Sequence, residues 1–176
     1  MPALTPAQAI SAYIHAKDGN RPHLLRTAFI EDVSLQMVVQ TDAIDFPPTV
    51  EGVGAVADVL VSRFNLSYEN IYTLCLCAAP DVDRARAFSS DWLVAMTEKG
   101  SGVVRLGHGR YDWSFEPATG QVRSLRITIA RMERFSPEHQ DAVLGWVGAL
   151  PYPWCETHAA RQRAPAWVRE QLPVLG

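Results

Sequence analysis

The 176-residue chain is 48% hydrophobic and 20% charged, which gives it the apolar content for a buried core and excludes a disordered chain. Its net charge of −3 argues against nucleic acid as a main partner, and no run approaches the roughly 18 apolar residues of a membrane span. The start, Met1-Pro2-Ala3-Leu4, lacks the basic segment and apolar core of a leader. The three cysteines, Cys75, Cys77 and Cys155, read as reduced thiols, so a cytoplasmic location is expected.

In chain order, Thr5, Pro6 and Gln8 form a capping box with a first-turn proline, and Ala9, Ile10, Tyr13 and Ile14 fall on one helical stripe. Gly19-Asn20 ends this helix, and a short second helix is predicted from Pro22 to Thr27. A strand is predicted over Phe29 to Gln40, and Asp45-Phe46-Pro47-Pro48 reads as a loop. Between Gly52 and Phe64, the residues Val53, Val56, Ala57, Leu60, Val61 and Phe64 fit one helical face throughout. Four long strands follow, Ile71 to Ala78, Arg86 to Thr97, Val103 to Glu116 and Val122 to Phe135, joined by short turns and so mostly antiparallel. Strands this long must curl or bulge, and Gly107 and Gly109 are the expected bend points. Ser136-Pro137 opens a third helix running to Leu150, and one or two short helices around Pro165 complete the tail.

Helices followed by a long meander imply an α+β fold: a curved antiparallel sheet wrapped around N-terminal helices, a cone with a pocket, plus a C-terminal helical extension. The expected division is residues 1–135 for the cone and 136–176 for the extension. Four stretches carry a family resemblance: Leu24-Leu25-Arg26-Thr27-Ala28-Phe29-Ile30-Glu31-Asp32-Val33 after the opening helix, Val50-Glu51-Gly52-Val53-Gly54-Ala55-Val56, Gly109-Arg110-Tyr111-Asp112-Trp113-Ser114-Phe115, and Ile127-Thr128-Ile129-Ala130-Arg131. In this order and spacing they resemble the nuclear transport factor 2-like superfamily, in its SnoaL-like branch. The resemblance implies either a cofactor-independent acid–base isomerase, lyase or cyclase, or a non-catalytic ligand-binding or dimerisation module. It also implies a homodimer through the outer sheet face. Function must still be argued from the site.

No metal is expected: the five histidines form no closely spaced pair, and Cys75-x-Cys77 lacks a second ligand pair. Nor do the residues call for a cofactor, since Gly107-His108-Gly109 lacks the remainder of a phosphate loop. The family's acid–base dyad has no match after the third helix, where Asn65 to Asn70 stand, nor near the first, which carries Tyr13, His15 and Lys17. His108 and Asp91 are then the catalytic candidates, one for its near-neutral pKa among glycines, the other for its apolar flanks. Strict alternation puts His108 on the face opposite Tyr111, Trp113 and Phe115, and a bulge at Gly107 or Gly109 would bring it round. Asp91 reads sooner as a hydrogen-bonding interface residue: β-alternation makes both faces of its strand largely apolar, which suits the dimer through the outer sheet face that the resemblance implies. Tyr13, Trp92, Tyr111 and Trp113 would line a pocket for a small apolar or aromatic ligand. Arg131, matching a basic residue of the family's last strand, would hold a ligand oxygen or else point outward.

Overall fold

The computed structural model describes residues 2–175. Helix α1 (Pro6–Asp18) opens on the reciprocal Thr5–Gln8 capping box and buries Ala9, Ile10, Tyr13, Ile14 and Lys17. A 3₁₀ turn (Pro22–Leu24) and α2 (Leu25–Ala28) lead into β1 (Phe29–Val39). A short β2 (Thr49–Glu51) follows, which the sequence pattern left within a loop and helix start.

The amphipathic helix is continuous from α3 (Val53–Ala57) through a π turn (Asp58–Arg63) into α4 (Phe64–Ser67). The wider turn buries three consecutive residues, Val59, Leu60 and Val61, where an α-helix would turn one of them away. Then come β3 (Tyr68–Cys75), β4 (Ala87–Glu98), β5 (Val104–Phe115) and β6 (Val122–Phe135). They form one six-stranded sheet in the order β2-β1-β6-β5-β4-β3, antiparallel except where β1 pairs with β6.

The sheet has two apolar faces. The concave one wraps α1 and the long helix, and contributes Trp92, Val94, Met96, Tyr111, Trp113, Phe115, Ile127 and Ile129 to the main core. The convex one carries Leu74, Leu76, Leu93, Ala95, Val104 and Leu106. The two apolar faces of β4 suited the dimer that the family resemblance implied; on this side the cover within the chain is its own tail. A 3₁₀ turn (Pro137–His139), α5 (Gln140–Gly148), α6 (Thr157–Arg163) and α7 (Ala166–Gln171) lay Val143, Trp146, Val147, Ala160, Val168 and Leu172 onto it. The tail also closes the β3 edge: Cys75 donates to the Pro153 carbonyl (2.7 Å) and Cys155 to the Cys75 carbonyl (2.9 Å). No helix among the described residues is long and apolar enough to cross a membrane.

Candidate functional site

At the heart of the cone lies a cavity of about 50 Å³, several times the space one water needs. Its wall is mostly apolar: Met37, Ile44, Phe46, Leu60, Phe64, Val94, Ile127, Ile129 and Met132. Two glycines shape it. A side chain at Gly107 would run into Met132, and a Cβ at Gly109 would collide with the Thr128 carbonyl oxygen and stand 2.8 Å from the Trp92 ring. Their absence of side chains lets β5 press against β6 and seats Trp92 and Met132 in the interior.

The polar groups on the wall are Tyr13, Lys17, Thr73, Trp92 and Tyr111. Lys17 follows Tyr13 by four residues and so shares the buried stripe of α1. Its ammonium donates to Asp18 Oδ1 (2.9 Å) and Thr73 Oγ1 (2.8 Å), and lies 5.0 Å from the Phe64 ring centre. Asp18 also accepts from the Thr73 backbone (2.7 Å), the Thr73 hydroxyl (2.9 Å) and Tyr152 of the tail (2.8 Å). Asn65 braces the cluster by donating to the Lys17 carbonyl (3.0 Å). Sequence reasoning did not single out Lys17, Asp18 or Thr73; a lysine on an otherwise apolar helical stripe is the signal that reveals the first.

Tyr13 and Tyr111 meet edge to face, 6.0 Å between ring centres, and burial holds both phenols far above the usual range, un-ionised. Burial likewise pushes the Cys75 thiol up to about 12. The indole N–H of Trp92, a residue only 4% exposed, has no hydrogen-bond partner. The buried indole N–H of Trp113 is unpartnered as well, and each such donor costs stability.

The cavity is roofed by residues 40–48. Phe46 stacks on Phe64 (6.4 Å between ring centres), and the buried Arg105 donates to the Ala43 carbonyl (2.7 Å) and to Glu98 (3.1 Å). Outside this roof is a wider cleft of about 570 Å³ bordered by Asp42, Asp45, Arg63 and Tyr68, and Ile44, Phe46 and Phe64 border both spaces.

Of the residues expected at the site, Tyr13, Trp92 and Tyr111 line the cavity. Trp113 lies behind them, packed on Tyr13 (5.3 Å) and Tyr111 (5.1 Å). His108, Asp91 and Arg131 are on the convex face and do not reach the cavity. The bulge expected near Gly107 or Gly109 does occur there, but on the other strand. His108 pairs with Arg131 and Gly109 with Ile129, so Ala130 is the extra residue in β6, while β5 keeps unbroken register with β4. The parity of β5 therefore stands, and His108 points away from Tyr111. The bulge shifts β6 instead, turning Met132 inward and Arg131 outward. Arg131 pairs with Glu133 (2.9 Å), and Asp91, half-exposed, with Arg110 (3.5 Å). Burial and the nearby Arg131 charge lower the His108 pKa, keeping the ring neutral.

No family model matches the sequence, and no curated protein does. Solved structures do match in fold. The Δ5-3-ketosteroid isomerase of a Mycobacterium species superposes with a TM-score of 0.57 at 13% identity, covering 75% of this chain and 100% of that one. A protein with a ketosteroid isomerase-like fold from Catenulispora acidiphila, solved with trimethylamine, gives 0.54 at 17% identity, covering 70% and 85%. A nuclear transport factor 2-like protein from Burkholderia xenovorans gives 0.51 at 12%, covering 76% and 93%. The chain thus has the nuclear transport factor 2-like fold, as its sequence pattern implied.

Proposed function

We propose that the protein binds a compact, largely apolar small molecule inside the cone, as a SnoaL-like ligand-binding module. The observation that carries this reading is the cavity itself, apolar over most of its wall yet lined also by Lys17, the two tyrosines and Trp92, whose N–H is unpartnered. Buried apolar space with a few convergent polar groups is the usual character of a small-molecule site.

Acid–base catalysis as an isomerase, lyase or cyclase is the second reading, favoured by the un-ionised Tyr13 and Tyr111 on the cavity wall as donors for a developing oxyanion. It lacks a base. Among the described residues, no histidine and no free carboxylate lines the cavity, and Asp18 beside it already accepts four hydrogen bonds.

Native mass spectrometry of the purified protein, followed by organic extraction, tests the proposal. We expect a bound small molecule that is lost on denaturation. A ligand-free protein that also takes up nothing from a panel of small ketones, esters and aromatic compounds would overturn it.

A further inference from the structure

Lys17 is the one formal charge on the cavity wall, and the obvious reading of a buried ammonium is a carboxylate site. The cluster around it argues otherwise. Asp18 stands 2.9 Å from the Lys17 nitrogen, and the two side chains are 8% and 5% exposed, so the charge is already balanced within the protein. A ligand carboxylate would leave the cluster net negative, near Asp18 as well as Lys17, after losing its own hydration. A ligand amine would meet an ammonium of like charge and would bring donors to a wall made of donors.

What the wall still lacks is an acceptor. Two of the three Lys17 N–H groups are used, by Asp18 and Thr73, and the Trp92 N–H has none. Resting on the binding reading above, we infer that the site selects a neutral molecule with one hydrogen-bond-accepting oxygen on a compact apolar body, such as a ketone, ester or amide, and discriminates against both carboxylates and amines. In the last respect it differs from the Catenulispora protein solved with trimethylamine. A plain hydrocarbon would fill the space and leave the indole unpaired.

The test uses the full chain and three probes of one shape at neutral pH: cyclopentanone, cyclopentanecarboxylate and cyclopentylamine. The five tryptophans give five indole N–H signals in a nitrogen-15 spectrum, and Trp92→Phe assigns the one that matters. We expect cyclopentanone to move the Trp92 signal and to bind about tenfold tighter than either ion, an advantage that shrinks in Trp92→Phe. Equal or tighter binding of the carboxylate or the amine overturns the inference and leaves the binding reading standing. So does cyclopentanone binding that leaves the Trp92 signal in place. No binding of any probe, with nothing extracted from the native protein, overturns both.

Discussion

Replacing Lys17 with Met tests the buried cluster from which the site is built. Methionine matches the length and apolar stem of lysine, so the change removes a charge and two hydrogen bonds with little loss of packing. Breaking a buried pair by deleting one partner typically costs 3–5 kcal/mol, because the other charge is left uncompensated. Asp18 keeps three donors, from Thr73 twice and Tyr152, which places the expected cost near the lower end, about 3 kcal/mol. For a chain of this length that is a fall in Tm of about 6–12 °C. Adding Asp18→Asn removes the stranded charge, so the double variant should recover about 1–2 kcal/mol relative to the sum of the single changes. Urea unfolding followed by tryptophan fluorescence gives all four stabilities. A Lys17→Met cost below about 1 kcal/mol, or additive single changes, would mean that the pair is solvated and would refute the description of the cluster.

Four further outcomes follow from the same geometry. Phe46→Ala removes the ring shared by the roof and the outer cleft, so it should join the two spaces and admit ligands larger than cyclopentanone, measured by the same titrations. Gly109→Ala should abolish soluble expression, because the new methyl meets backbone that cannot yield; a well-folded variant by circular dichroism would refute the close strand approach. His108→Gln and Asp91→Asn should leave ligand affinity within about twofold, since both lie across the sheet from the cavity. Stability should fall as pH rises from about 9 towards 12. The Cys75 thiol ionises near 9 in the unfolded chain but is held protonated to about 12 in the fold, so its contribution is whole below pH 9 and shrinks by up to about 1.4 kcal/mol per pH unit above it. Cys75→Ala should flatten the first part of that fall, between about pH 9 and 10, in urea midpoints measured against pH; above that the buried phenols of Tyr13 and Tyr111 add to it.

Local signals were readable where they were strong. The Thr5–Gln8 box, the stripe from Val53 to Phe64 and the alternation of β4 and β5 report on backbone geometry within a few residues, and the structure agrees with each. The location of the bulge was not readable, because Gly107 and Gly109 mark a crowded crossing without saying which strand takes the extra residue. Ala130 takes it, and nothing about an alanine announces that. This one position decides that His108 and Arg131 lie outside. The Lys17–Asp18–Thr73–Tyr152 cluster joins residues from α1, β3 and the tail, with Asp18 and Tyr152 134 positions apart, a juxtaposition only the folded chain creates.

The homodimer implied by the resemblance would use the outer sheet face, and the apolar part of that face is occupied by the chain's own tail. Removing residues 136–175 should therefore expose Leu74, Leu93 and Leu106 and drive self-association, visible as a rise in mass by light scattering; a truncated chain that stays monomeric and folded would refute the role given to the tail.

The tail's place on the sheet also sets the order in which the molecule is completed during synthesis. The ribosome releases all six strands before it releases α6 and α7, so the nascent cone faces the cell with its leucine-lined back bare and the β3 edge unpaired. Tyr152, which reaches Asp18, emerges with the tail, so the interior cluster gains this donor only as the back is covered. The vulnerable interval lies between the emergence of β6 and that of the tail helices, when exposed sheet is most open to association with a neighbouring nascent chain.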